Sequence, residues 1–84
     1  MFNEKEDLEG EIILSYEREI DAETITKAIT PDNIRVPDGL RVRTLRERFR
    51  VITFIRCKKG LSTFIATIDD LLMAVQIAEK TIAL

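Results

Sequence analysis

The chain has 84 residues, of which 45% are hydrophobic and 33% charged, and its net charge is −2. This length allows one compact domain and no second one, and the composition is that of a globular protein rather than a disordered one. One cysteine and no histidine exclude an internal disulfide and a plausible structural zinc site. The lone thiol favours a cytoplasmic protein, and no apolar run approaches the ~18–20 residues that a bilayer requires, so no membrane partner is expected.

Residues 1–7 are expected to form a flexible N-terminus and residues 8–84 the domain. From Leu8 to Glu17 apolar and polar residues alternate, which predicts a half-buried strand. Asp21 is the expected N-cap of a short helix that ends by Thr30, because Pro31 disfavours helical geometry in the residue before it. Apolar residues recur at helical spacing within it: Ala22, Ile25, Ala28 and Ile29.

Two further strands, Leu40 to Leu45 and Phe49 to Cys57, are predicted to form an antiparallel hairpin through a tight connection of residues 46–48. The centre of the second strand, residues 51–55, is apolar on both faces. Since one face of an antiparallel sheet is normally polar, we expect both faces of this strand to be covered.

Ser62 is the expected N-cap of a long closing helix. Its broad apolar stripe is expected to lie on the sheet and contains Leu61, Phe64, Ile65, Ile68, Leu71, Leu72, Val75, Ala78 and Ile82. A second, narrower strip lies nearly opposite and contains Ala66, Met73, Ile77 and Leu84. The predicted fold is therefore α+β in the order β-α-β-β-α, with two helices packed on one face of a three-stranded antiparallel sheet.

No constellation of residues predicts catalysis. Histidine, the commonest general base, is missing, and Cys57 is interpreted as a buried strand-end residue rather than a nucleophile. Asp69 and Asp70 point ~100° apart on a helix, so they do not easily share a metal ion. The glycine spacing fits no phosphate-binding loop. We therefore expect no enzymatic activity, no cofactor, no metal and no small-molecule substrate.

A basic hairpin is the one candidate for nucleic-acid contact. Arginines alternate along its strands, as at Arg41 and Arg43 or at Arg46, Arg48 and Arg50, and residues of such a set are expected to project together from one face and to contact a phosphate backbone. A stand-alone RNA- or DNA-binding module is therefore an alternative function. Charge that protects an exposed sheet edge from unwanted strand pairing explains the same arginines equally well.

Three segments carry a resemblance to a known family: the connector of residues 30–33, the Gly39-Leu40 entry to the hairpin, and the run LSTFIATIDDLL at residues 61–72. The chain resembles the small dimerisation subunit of the archaeal KEOPS complex (Pcc family, polarised growth chromatin-associated controller, related to CTAG/LAGE proteins), or a divergent paralogue of it. The run departs from the family pattern at Ile65, where arginine is expected, and at Asp69, where asparagine is expected.

The resemblance implies a non-catalytic scaffold that forms a homodimer through its sheet, with Ile52 and Phe54 as dimer contacts. It also implies that the helices dock the KEOPS threonylcarbamoyl transferase subunit, which modifies the adenosine next to the anticodon, and that tRNA is reached through the complex. The implied docking residues lie on both helices: Glu23, Thr24, Lys27, Ala66, Asp70, Met73 and Ile77. The family's older association with transcription belongs to the alternative function.

Overall fold

A computed structural model describes residues 7–30 and 38–83. The order of elements is β1 (Leu8–Ser15), α1 (Glu19–Ile29), β2 (Leu40–Glu47), β3 (Arg50–Cys57) and α2 (Leu61–Ile82). The predicted β-α-β-β-α order and α+β class are confirmed. Residues 1–6, 31–37 and 84 lie outside the described residues, and with them lie most of the expected flexible N-terminus, most of the 30–33 connector, and Leu84 of the narrow strip.

The three strands form one sheet in the order β1-β3-β2, with both neighbouring pairs antiparallel. The central strand is therefore β3, while β1 and β2 are the two edges. The hairpin turn is shorter than predicted, because Glu47 pairs with Arg50 and only two residues lie between them. Arg48 has φ 58°, as at the first central position of a type II′ turn, where glycine is usual. Because arginine occupies this position, the sequence contains no clear turn signal here.

Helix α1 begins two residues before the predicted cap. Its N-cap is Arg18, so Asp21 lies inside the first turn and accepts hydrogen bonds from the Arg18 guanidinium at 2.9 and 3.0 Å. A carboxylate there is favourable because the helix dipole is positive at that end. The predicted end of the helix is confirmed, since Thr30 is the C-cap. Ala28, expected on the apolar face, is exposed.

Helix α2 begins at Leu61 with Gly60 as N-cap, so the prediction that Ser62 caps it was wrong. The predicted broad stripe was also too wide. Val75 alone is fully buried in this helix among the described residues, and the stripe's central members are half-buried. Three members remain exposed: Leu61, Ile65 and Leu72. They lie on one flank of the helix, beyond the arc that touches the sheet.

The core lies between the sheet and both helices. Its buried members are Ala22, Ile25, Ile29, Val51 and Val75. Helix α1 packs over β2 and β3, and α2 lies beside it towards β1, where the Phe64 ring covers Gly10. This layer leaves one face of the sheet, here called the outer face, without a helix.

Helix α2 is also long and apolar enough, by length and composition, to cross a membrane: an 18-residue window has mean hydropathy 1.5, and 11% of it is buried. The expectation that no apolar run reaches such a length was therefore wrong. This is weak support for a membrane span, because a helix that packs on a sheet passes the same test. The absence of a membrane partner stays a prediction.

Tyr16 ties the end of β1 to the last turns of α2 by donating a hydrogen bond of 2.7 Å to Glu79 Oε2. Burial, followed by this bond, raises the pKa of the Tyr16 hydroxyl. Tyr16→Phe is expected to lower the free energy of unfolding by about 1–2 kcal/mol at pH 7, because a bond to a charged acceptor is lost. Chemical denaturation at several pH values measures this difference.

The difference is expected to shrink above pH ~10, where the unfolded tyrosine ionises before the folded one and the wild type loses the contribution. A difference that stays constant between pH 7 and 11 would contradict the assignment of this bond.

Candidate interaction surfaces

The narrow strip of α2 faces solvent. Met73 and Ile77 are 59% and 63% exposed, and Ala66 and Asp70 are exposed beside them. At ~100° per residue the four share one side of the helix. Large apolar side chains in solvent at helical spacing are typical of a surface that a partner helix covers. The prediction that this strip lies outside the core is confirmed for its described members.

The three α1 residues implied in docking do not all adjoin that strip. Glu23 and Lys27 form an ion pair of 3.4 Å on the flank of α1 that also carries Glu19. The Glu19 carboxylate lies 3.6 Å from Arg46 of β2, so this flank points away from α2. Thr24 lies on the side of α1 that faces away from the sheet and is half-buried. Its hydroxyl donates a hydrogen bond to the Ile20 carbonyl oxygen. The implied surface is therefore interrupted between the two helices.

The outer face has an apolar centre. Paired residues of antiparallel strands project to the same side, so the register aligns Ile13, Ile52 and Leu45 in one row across the sheet. Ile52 is only 8% exposed, because neighbouring side chains pack around it, whereas Ile13 is 47% exposed. Phe54 extends this centre and is also exposed. Both implied dimer residues, Ile52 and Phe54, therefore lie on the face that no described helix covers.

Charged side chains surround that apolar centre. The neighbouring rows are Glu9–Arg56–Arg41 and Glu11–Phe54–Arg43, and the row at the hairpin end is Ser15–Arg50–Glu47. Arg56 forms a two-pronged ion pair with Asp7, with a shortest distance of 2.6 Å. Hydrogen bonds from Arg56 hold the pKa of the Asp7 carboxyl below its usual range. Arg50 forms an ion pair with Glu47 through one guanidinium nitrogen.

Arg41 and Arg43 project together, as expected, but Arg46, Arg48 and Arg50 do not share one face, so the expectation for that second set was wrong. Arg41, Arg43 and Arg50 project from the outer face. Arg46 projects from the opposite face and approaches Glu19 of α1. Arg48 lies in the turn, where its guanidinium is 5.7 Å from the Phe49 ring centroid. Because the turn is two residues long instead of three, Arg46 lies in β2, an odd number of residues from Arg41 and Arg43, and so projects from the opposite face. No continuous arginine track results among the described residues.

Cys57 is fully buried at the end of β3, as interpreted from the sequence. Its Sγ accepts a hydrogen bond from the Lys59 amide and approaches the Gly60 carbonyl oxygen. These contacts place the thiol in the turn that leads into α2. Asp69 and Asp70 are both exposed. Nothing in this geometry presents the thiol to a substrate.

Comparison with known proteins identifies no relative by sequence: no family model and no curated protein matches the chain. Its structure does match a chain in the crystal structure of the binary complex Gon7-Pcc1. The TM-score is 0.79 at 17% identity, and the match covers 90% of this chain and 93% of that chain. The two chains share a fold. At this identity the likeness to the Gon7-Pcc1 chain shows the fold alone; that chain was crystallised in a complex with another protein.

Sequence reasoning missed two exposed apolar groups. The prediction of a half-buried strand from Leu8 to Glu17 gave Ile13 no role, although an apolar residue among the polar positions of a strand is typical of a surface that a partner covers. On α2, Leu61, Ile65 and Leu72 were assigned to the core because helical periodicity gives the direction of a side chain but not the width of the neighbouring sheet.

Proposed function

We propose that the chain is a non-catalytic scaffold subunit of an archaeal, cytoplasmic KEOPS complex. It pairs with itself, docks the threonylcarbamoyl transferase subunit and so supports modification of the adenosine beside the tRNA anticodon, with tRNA reached through the complex. The fold shared with a chain of the Gon7-Pcc1 complex over 90% of the sequence carries the proposal. The resemblance of residues 61–72 to the KEOPS small-subunit signature supports it independently.

The docking surface in this proposal is the narrow strip of α2. No described residue packs over its apolar members, and the carboxylate of Asp70 at its edge offers a charge with which a basic side chain of the partner can pair. Thr24 is the α1 residue best placed to extend the surface. Glu23 and Lys27 already form an ion pair with each other, so they are expected to contribute little to docking.

Met73→Arg and Ile77→Arg are each expected to weaken binding of the transferase subunit by at least about 10-fold, because each buries an unpaired charge in the interface. Isothermal titration calorimetry with the purified transferase subunit measures the change. Leu61→Arg is the matched control, since Leu61 has the same 59% exposure as Met73 but lies on another flank of α2.

Light scattering of the chain alone, and then mixed with the transferase subunit, tests the proposal as a whole. A complex that takes up the transferase, with the strip variants impaired and Leu61→Arg intact, supports it. If the chain forms no complex with the transferase subunit, the proposed scaffold function is refuted, and RNA binding by the hairpin arginines becomes the function to examine.

A further inference from the structure

Three apolar side chains of α2 lie in solvent on one flank of the helix. Leu61, Ile65 and Leu72 are 59%, 48% and 37% exposed. Glu79 follows Leu72 by about two helical turns and therefore lies on the same flank. Because Glu79 accepts the hydrogen bond from Tyr16 at the end of β1, this flank is the one on the β1 side of α2.

Helix α2 follows the edge of β1 along its length. The two elements run in the same direction, since Phe64 lies over Gly10 near their starts and the Tyr16 hydroxyl bonds to α2 near their ends. From Leu61 to Leu72 the helix rises by ~16 Å, a length that ~5 residues of a strand also span. The exposed flank therefore overhangs the place that a fourth strand would take beside β1.

The backbone of β1 is open at the same edge. The Tyr16 amide donates to the Phe49 carbonyl oxygen at 2.8 Å. Since bonded and non-bonded pairs alternate along antiparallel strands, the even-numbered residues of β1 exchange their hydrogen bonds with β3. The amides and carbonyls of the odd-numbered residues point away from β3, and no described strand pairs with them.

The two edges of the sheet differ in their protection against further strand pairing. Basic side chains and proline on an edge strand deter pairing, and so do bulges. β2 carries Arg41, Arg43 and Arg46. β1 has neither a basic residue nor a proline, and no bulge interrupts its register with β3. The less protected edge is therefore the one that the exposed flank of α2 overhangs.

The charge at this edge is acidic. Glu9 and Glu11 are exposed on the outer face, and neither carboxylate forms an ion pair among the described residues. An added strand would place one side chain directly opposite each carboxylate, with the Cβ atoms ~5 Å apart. Opposite charges stabilise such a pair. A strand with basic residues fits these positions, whereas β1 of a second copy would bring acidic residues and no basic one.

We propose that the β1 edge binds an extended segment of a partner protein, which becomes a fourth strand antiparallel to β1. The segment carries basic residues opposite Glu9 and Glu11. Its apolar residues face the helix layer and pack beneath Leu61, Ile65 and Leu72. Main-chain hydrogen bonds supply affinity, and the two sets of side chains supply specificity. This surface is separate from the narrow strip of α2, so the inference goes beyond the proposed function and does not depend on it.

A synthetic peptide of the sequence TLIVKVK is the probe. In the antiparallel register its lysines lie opposite Glu11 and Glu9, and its second, fourth and sixth residues face α2. Hydrogen exchange followed by NMR measures binding at each amide of β1. The amides that point to the open edge are expected to gain protection of at least about 10-fold, whereas those already bonded to β3 change little. The first group contains Glu9, Glu11, Ile13 and Ser15.

Methylation of the peptide amides separates strand pairing from side-chain contact. N-methyl groups on the third and fifth residues block amides that donate to β1, and they are expected to raise the dissociation constant by roughly 30-fold or more. N-methyl groups on the fourth and sixth residues point away from β1. They are the matched control and are expected to change the constant by less than about 3-fold. Fluorescence anisotropy of the labelled peptides measures all three constants.

Charge reversal tests the register. Glu9→Lys with Glu11→Lys is expected to weaken binding of the lysine peptide by about 10-fold, because both cross-strand pairs become repulsive. The same variant is expected to prefer a peptide in which glutamates replace the two lysines, a peptide that the wild type binds poorly. This exchange of preference requires a folded variant. Equal binding of both peptides by the variant would contradict the proposed pairs.

The overhanging flank is tested by Ile65→Arg, which places a charge in the apolar contact. It is expected to weaken peptide binding by at least about 10-fold and to leave binding of the transferase subunit unchanged. Ile77→Arg is the matched control on the narrow strip, at a residue that is 63% exposed, and is expected to do the reverse. Loss of one binding activity without the other distinguishes failure of this inference from failure of the proposed function.

Three results overturn the inference. The first is no gain of protection with the peptide at up to ~1 mM. The second is equal weakening by the two methylation patterns, because the peptide would then not pair with β1. The third is self-association of the chain, measured by sedimentation equilibrium, that Ile65→Arg abolishes, since a second copy would then occupy this edge. Circular dichroism checks folding, and Ile65→Gln replaces the arginine variant if that variant does not fold.

Discussion

Ile25→Ala is expected to lower the free energy of unfolding by about 2–5 kcal/mol, the usual cost of removing a fully buried isoleucine. Ile25 is 0% exposed and lies at the centre of the core between α1, β3 and α2. A chain of 84 residues has a net stability of only about 4–13 kcal/mol. The variant is therefore expected to lose a large fraction of its stability.

Ile20→Ala is the matched control on the same helix. It makes the same chemical change at a residue that is 56% exposed, so its effect is expected to stay within about 0.5 kcal/mol. Denaturant titrations of both variants at one protein concentration measure the two values. Equal losses from the two variants would show that α1 does not pack on the sheet through the face described.

Gly10→Val is expected to lower the free energy of unfolding by about 1–3 kcal/mol through overpacking. A Cβ at this position would lie 2.8 Å from Cζ of Phe64, closer than two carbon atoms approach without strain. Because Gly10 is on the helix-facing side of β1, the Phe64 ring must move to admit the valine side chain. Thermal or chemical unfolding of the variant measures the cost.

A double-mutant cycle with Phe64→Leu separates this contact from the general effect of the substitution. Phe64→Leu shortens the side chain at the point of contact, so Gly10→Val is expected to cost at least about 1 kcal/mol less in that background. An unchanged cost would mean that the strand itself, and not the ring, resists valine.

Periodicity predicted the elements better than their ends. The alternation from Leu8 and the helical spacing of Ala22, Ile25 and Ile29 reflect which side of each element is buried, and the structure confirms both. Caps were predicted from side-chain preference alone. Arg18 and Gly60 take those positions instead, and neither uses a side-chain capping bond. Backbone geometry at the chain's entry to each helix decides the cap there.

The extent of the candidate surfaces depends on the width of the sheet and the length of the hairpin turn, and the periodicity of the sequence gives neither. Met73 and Ile77 could be placed off the core from the helical period, and the structure confirms their exposure. Leu61, Ile65 and Leu72 were misplaced, because a three-stranded sheet is too narrow to cover so broad a stripe. Arg46 was misplaced because the turn is two residues long instead of three, so Arg46 belongs to β2, where it projects from the face opposite to Arg41 and Arg43.

The sequence by itself determined the α+β class, the order of the elements and the exposed strip on α2, since each follows from local composition and spacing. Only the tertiary structure decided which residues share the outer face of the sheet. Its rows join Glu9 to Arg41 and Glu11 to Arg43 across residues more than 30 positions apart in the chain, and strand pairing alone sets that register. Contacts between distant segments depend on how the whole chain closes, which no local pattern encodes.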